Sequence, residues 1–188
     1  MGKSAAESLK GQTETLVAAT TAAAAWFRRP APSALSAART ARLRALGWRD
    51  AAVLANKGFR GFAKTDAADA SYALREAVEH SAQAVSEAVR YGVEPDDGLL
   101  KTAEAVREAA KALAAAAAGR GKSRAEALIL AKKWAGEAER LRRLTRADAQ
   151  EDVSLTNALK RETVSTRLSN AAEAMQQACD ALAGGLLE

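Results

Sequence analysis

Few side chains in this 188-residue sequence have the type and spacing needed for catalysis or metal binding. His80 is the only histidine, so a metal site built on paired histidines is excluded. It follows Glu76 by four residues, a helical spacing that predicts a solvated ion pair. Cys179 is the only cysteine, which excludes an internal disulfide. We expect it to be a small buried hydrophobic residue.

Gly121-Lys122-Ser123 resembles the end of a phosphate-binding loop, in which backbone N–H groups and a lysine hold phosphate oxygens. That motif needs another glycine five residues earlier, where Ala116 stands. It also needs a preceding strand, whereas an alanine-rich helix is predicted there. No G-x-S-x-G motif marks a nucleophile. The sequence therefore predicts neither an enzyme nor a bound cofactor.

An arginine cluster, Arg140, Arg142, Arg143 and Arg146, is a candidate site for an anion or a protein partner. Guanidinium groups match the geometry of phosphate and carboxylate oxygens. The same residues fall at the end of a predicted helix, where positive charge complements the helix dipole. Both interpretations remain open. The cluster has no aromatic side chains for base stacking, so we expect no nucleic-acid partner.

Composition points to a helical protein with a thin core. Hydrophobic residues make up 48% of the chain and aromatic residues only 4%, because alanine supplies much of the hydrophobic fraction. The net charge is +5, but basic and acidic residues are interleaved, which gives little indication of a partner. No apolar run is long enough to cross a membrane, and no signal peptide leads the sequence. We expect a cytoplasmic location, with peripheral membrane contact compatible.

Apolar residues recur every three to four positions in six segments that are separated by proline, glycine and aspartate. Short connections favour antiparallel neighbours. We therefore predict one all-α domain over residues 1–188, a six-helix up-and-down antiparallel bundle made of two three-helix halves. The predicted helices cover about 4–27, 33–58, 66–91, 98–118, 123–146 and 153–183.

The fifth predicted helix has the most detailed signature. Ser123 and Glu126 have the spacing of a capping box, which places the helix start near Arg124. The periodic residues predict a buried face centred on Trp134. These residues are Ala127, Leu130, Ala131, Trp134, Ala138 and Leu141.

Three strings in order along the chain carry a resemblance to a known family. Residues 62–65 resemble a Phe-x-Thr-Pro joint before the third helix, without its proline. Residues 134–141 resemble a Leu-Glu-x-Glu-Ala-Asp-Arg-Leu segment, and residues 161–182 resemble the last helix. In this order the sequence resembles the PhoU-like phosphate-transport regulators, in the branch found beside Pit-type transporters.

The resemblance implies metal clusters formed by Glu/Asp-x-x-x-Asp pairs on four helices, a spacing that stacks two carboxylates on one helical face. At those positions this sequence has Arg44 and Trp48, Glu79 and Gln83, Ala135 and Glu139, and Ser169 and Glu173. The candidate metal ligands are therefore Glu79, Glu139 and Glu173, each without its carboxylate partner. Arg44 would bring a cation into the site. The metal motifs are thus expected to be degenerate.

The resemblance implies a non-enzymatic regulatory or accessory protein of phosphate transport. It would act by contact with a phosphate transporter on the cytoplasmic membrane face, and a homo-oligomer is compatible. An alternative is a phasin-like surface-coating or scaffold protein, because alanine-rich amphipathic helices also suit that role. A third hypothesis is a basic nucleic-acid-associated bundle, which would bind DNA with a steep salt dependence.

Overall fold

The computed structural model describes residues 5–46, 48, 64–149 and 154–184. All regular structure within these residues is helical. The helices are α1 (Ala5–Arg28), α2 (Pro32–Leu46), α3 (Lys64–Tyr91), α4 (Asp97–Ala118), α5 (Gly121–Ala149) and α6 (Leu155–Gly184). The predicted all-α bundle is confirmed for this part of the chain, and most helix ends agree within one turn. Residues 47 and 49–58 of the predicted second helix, and residues 62 and 63 of the 62–65 string, lie outside the described residues.

Proline and glycine determine how the helices begin. Pro32 is the first residue of α2, a position where the missing N–H has no intrahelical partner to lose. The capping-box prediction for Ser123 and Glu126 is wrong, because α5 begins two residues earlier at Gly121. Gly121 has φ of +51°, in the left-handed region that favours glycine, and so turns the chain from α4 into α5. Ser123 lies exposed in the first turn.

The six described helices form two sets of three, as judged from which helices contact each other. Within α1–α3 every helix contacts the other two, and the same holds within α4–α6. Between the sets, α1 packs on α4 and α3 packs on α6, the latter being the most extensive contact among the described helices. If α1, α2 and α3 are exchanged with α4, α5 and α6 in that order, the same pairs of helices make the substantial contacts.

Helices α5 and α6 run in opposite directions. Near the start of α5, Arg124 Nη2 donates to the carbonyl oxygen of Leu182 in the last turn of α6, at 3.0 Å. Near the end of α5, Arg142 Nη1 donates to Glu162 Oε1 in the early part of α6, at 3.2 Å. Residues 124–142 of α5 therefore run alongside residues 162–182 of α6.

Alanine supplies most of the buried hydrophobic residues, which allows the helices to approach closely. Cys179 is buried among them, as predicted, and burial raises the pKa of its thiol to about 12. A small number of large side chains fill the remaining space. The largest fully buried side chains are Phe27, Leu16, Leu74, Leu99, Leu113, Leu168, Met175 and Leu182, and Trp26 is 5% exposed.

The buried face of α5 differs from the predicted one. Leu130 is 45% exposed, whereas Ala135 is fully buried and Trp134 is half-buried. The buried side of α5 is the side that carries alanines, because α4 and α6 both pack on α5 and small side chains permit the closest approach. Val89 in α3 and Leu155 in α6 also belong to the periodic apolar pattern that predicts burial, but they are 44% and 75% exposed.

Candidate functional site in the α5–α6 groove

A polar groove lies between α5 and α6, with a volume of about 370 Å³. It brings together all four positions that the sequence assigned to metal pairs on these helices, Ala135, Glu139, Ser169 and Glu173. The groove is completed by Arg142, Thr166, Asn170, Ala172 and Gln176. The pairing of α5 and α6 therefore brings these four side chains into one groove, and their role as metal positions stays a prediction.

Glu139 is held by hydrogen bonds from both helices. Ser169 Oγ on α6 donates a short hydrogen bond to Glu139 Oε2. Arg142 donates from Nε and Nη2 to the two carboxylate oxygens, each at 3.3 Å. Burial would raise the pKa of Glu139, but the bonds from Ser169 and Arg142 outweigh it, so the pKa lies below its ordinary 4.5. The carboxylate is ionised, and its oxygens are occupied by protein donors.

Glu79 is held in the same way at the contact between α2 and α3. Arg42 donates from Nε to Oε2 at 2.7 Å, and its Nη2 lies 2.6 Å from Oε1, a bidentate pair. Gln83 Nε2 donates to Oε1 at 2.6 Å. Burial alone would raise the pKa of Glu79, whereas these bonds lower it below 4.5. The cation that pairs with Glu79 is Arg42, because Arg42 lies on the flank of α2 that faces α3. The predicted Arg44 is exposed and forms no ion pair within the described residues.

The three candidate metal ligands therefore have different surroundings. Glu79 and Glu139 are bound by arginines, and Glu173 is exposed at the edge of the α5–α6 groove. Among the described residues, no group of three or more His, Cys, Asp or Glu side chains has an arrangement that could hold a metal ion. Metal binding at these three positions stays a prediction. It would require a cation to displace arginine from two of the carboxylates.

Every arginine of the predicted anion-binding cluster on α5 already faces a carboxylate, with nitrogen–oxygen distances from 2.6 to 4.0 Å. The arginines are Arg140, Arg142, Arg143 and Arg146, and the carboxylates are Glu137, Glu139 and Glu162. Exposed pairs of this kind contribute little to stability. An acidic partner would therefore have to compete with carboxylates that neutralise most of the charge.

A second contact, which the sequence did not predict, ties α6 to the start of α4. Asp96 accepts a hydrogen bond from Leu99 N at 2.8 Å and so caps α4. Its other oxygen accepts from Arg161 Nη2 of α6 at 2.7 Å. Both residues line a groove of about 490 Å³ beside residues 92–95. The cap has a local signal in the Asp96–Leu99 spacing, but the arginine, 65 residues further on, has none.

His80 is more enclosed than a solvated ion pair would be. Its Nε2 lies 3.8 Å from Glu76 Oε2, as the spacing predicts, but its side chain is only 19% exposed. The buried Nδ1 has no hydrogen-bond partner among the described residues. Burial lowers the pKa of His80 below 6.5, and Arg167 also lowers it, whereas Glu76, Glu79 and Glu173 oppose the shift.

This environment predicts a pH dependence of stability. Because the folded-state pKa of His80 is lower than the unfolded value near 6.5, the unfolded chain binds the proton more readily. The free energy of unfolding should therefore be highest above that value and decrease as the pH falls through it. We expect urea unfolding at about pH 8 and about pH 5.5 to show a smaller decrease for His80→Gln than for the wild type. An equal decrease in both proteins would contradict this role of His80.

No protein-family model matches the chain, and no curated protein matches it. Within the part of the chain that the structure describes, no helix has both the length and the hydropathy required to cross a membrane.

Proposed function

We propose that this chain is a non-enzymatic, PhoU-like accessory protein of phosphate transport that acts by binding a transporter at the cytoplasmic membrane face. The observation that supports it most is the pairing of two three-helix sets. The spacing and the short connections of the sequence predict two such halves. The exchange of α1–α3 with α4–α6 preserves the substantial helix contacts, and this supports a bundle of the kind that the resemblance suggests.

We infer an up-and-down course for the bundle from the same contacts. Besides α5 and α6, the α3–α6 pair is antiparallel, because Arg167 of α6 bonds Glu87 of α3 at 3.0 Å while Arg161 reaches Asp96, beyond the end of α3. The described connections at 29–31, 92–96 and 119–120 are short, which favours antiparallel neighbours.

The proposed mechanism does not depend on a metal cluster. The motif positions on α5 and α6 meet in one groove, as the resemblance implies, but Ala135 and Ser169 supply no carboxylate. On α3, Glu79 already has arginine as its counter-ion. We infer that the protein has kept the helical framework and acts through its surface.

The closed core favours this proposal over the phasin-like alternative. A surface-coating protein would use its apolar helical stripes to bind lipid or polymer. Here most of the stripe residues in α1, α4 and α6 are buried within the bundle, including Leu16, Val106 and Leu168. The described parts of these three helices therefore have no long apolar face exposed for binding lipid or polymer.

The test is direct binding of the purified chain to a Pit-type phosphate transporter from the same organism, reconstituted in lipid nanodiscs and measured by biolayer interferometry. We expect saturable binding. Replacing the exposed Arg140 and Arg143 by glutamate should weaken it about tenfold or more, because charge reversal at an interface opposes an acidic partner surface. The matched control is Lys101→Glu with Arg120→Glu, which makes the same charge change at other exposed positions.

Absence of binding to the transporter would contradict the proposal, as would equal weakening by both double variants. Elemental analysis of the purified protein tests the second part. We expect no stoichiometric metal, and one or more metal ions per chain that are lost in Glu139→Gln would contradict the interpretation of the motifs as degenerate.

A further inference from the structure

The outer side of α2 has an unbalanced positive charge. This helix, Pro32–Leu46, contains three arginines and no aspartate or glutamate. Arg42 is neutralised by Glu79 of α3. Arg39 and Arg44 are exposed, and neither forms an ion pair within the described part of the chain. The contrast is with α5, where each arginine of the Arg140–Arg146 cluster faces a carboxylate.

Two large aliphatic side chains stand beside these arginines. Leu43 is 69% exposed and Leu46 is 50% exposed. Arg39, Leu43 and Leu46 are separated by four and three residues, so they lie on one helical face. The opposite face contains the buried alanines at 34, 38, 41 and 45, which pack against the bundle. Arg44 follows Leu43 directly and lies on the flank of this face. The α2 outer face, defined as Arg39, Leu43 and Leu46 with Arg44 on its flank, combines cations with exposed aliphatic groups.

The neighbouring helix adds an aromatic residue to the same side of the bundle. Tyr72 of α3 is 61% exposed. It precedes Glu79 by seven residues and therefore shares the face of α3 that meets α2 through Arg42. Tyrosine is favoured at the boundary between water and lipid, because its ring is apolar and its hydroxyl is polar.

We propose that the α2 outer face docks on an anionic phospholipid surface. Arg39 and Arg44 would bind lipid phosphates, and Leu43 and Leu46 would enter the boundary between headgroups and acyl chains. The exposed leucines favour a lipid surface over nucleic acid as the binding partner, because nucleic acid binds cations but gains little from aliphatic groups. They also favour lipid over a purely acidic protein surface. The inference does not rest on the proposed function, since it needs no transporter.

The experiment is co-sedimentation of the full chain with vesicles of phosphatidylglycerol and phosphatidylcholine, compared with vesicles of phosphatidylcholine alone. We expect binding to the anionic vesicles only, and a decrease in binding as salt is raised. Arg39→Gln with Arg44→Gln should weaken it about 25-fold, since each basic residue near such a surface contributes about fivefold. Leu43→Ser with Leu46→Ser should weaken it about tenfold or more.

A matched control variant removes two charges from other exposed positions, Lys101→Gln with Arg120→Gln, and should retain binding within about twofold. Circular dichroism checks that all variants fold, which we expect because the altered side chains are exposed. The proposal is overturned if anionic vesicles fail to bind at low salt. It is also overturned if the control loses as much binding as the arginine variant, or if the leucine variant binds like the wild type, which would indicate a purely electrostatic contact. The vesicles contain no protein, so these results are independent of transporter binding.

Discussion

Replacing Phe27 by alanine is expected to lower the free energy of unfolding by about 3–5 kcal/mol. Phe27 is 2% exposed and lies near the end of α1, which packs on α2, α3 and α4. Its ring meets Trp26 edge to face, with centroids 5.0 Å apart. Most of the surrounding core is alanine, and alanine has no side-chain freedom with which to fill a cavity. The cost should therefore lie toward the upper part of this range.

Urea unfolding followed by circular dichroism measures the effect. Phe27→Leu is the matched control, because it keeps most of the hydrophobic volume and should cost less than half as much. A loss below about 1.5 kcal/mol for Phe27→Ala would show that the site collapses easily, contrary to the packing described above.

Gly98→Ala is expected to destabilise the protein by about 1–3 kcal/mol, although alanine is the better helix former. A Cβ atom at position 98 would lie 2.5 Å from Thr145 Oγ1 and 3.2 Å from its Cγ2. Thr145 is buried, and its hydroxyl donates to the carbonyl oxygen of Leu141 at 3.0 Å. The threonine therefore cannot turn aside without losing that bond, so the start of α4 must move away from α5.

Gly136→Ala is the same chemical change, but we expect it to raise the free energy of unfolding. Gly136 is exposed in the middle of α5, and a Cβ there would meet nothing within 4 Å. We expect a gain of about 0.5–1 kcal/mol from reduced backbone freedom in the unfolded chain. Thermal and urea unfolding of both variants would measure the difference. A gain in both would mean that the close contact between Gly98 and Thr145 relaxes at no cost.

The helices were largely predictable from the sequence, but the orientation of α5 was not. Breakers such as Pro30 and Gly92, together with the recurrence of apolar residues, define where the helices end. Alanine, however, occurs on several sides of α5, so its pattern fits more than one buried face. Leu130 was predicted to be buried and Ala135 was not among the predicted buried residues, because hydrophobicity alone does not reveal which face permits the closest helix approach.

The sequence indicated candidate positions for a site, but it did not indicate the interactions that the side chains make there. Glu139 and Ser169 were assigned to matching places on two helices, and the structure brings them into one groove. Which arginine would reach Glu79 depends on the rotation of α2 and on side-chain length, so Arg42 was missed. The contact of Arg161 with Asp96 joins distant parts of the chain without any local pattern.

The contacts between the two sets of three helices determine which helix faces are covered. The most extensive contact, between α3 and α6, joins one set to the other. A chain with only one set would leave that face of its third helix, and the matching face of its first, open to water. In the present chain both sets belong to one polypeptide, and within the described residues each set covers the faces that the other would leave exposed.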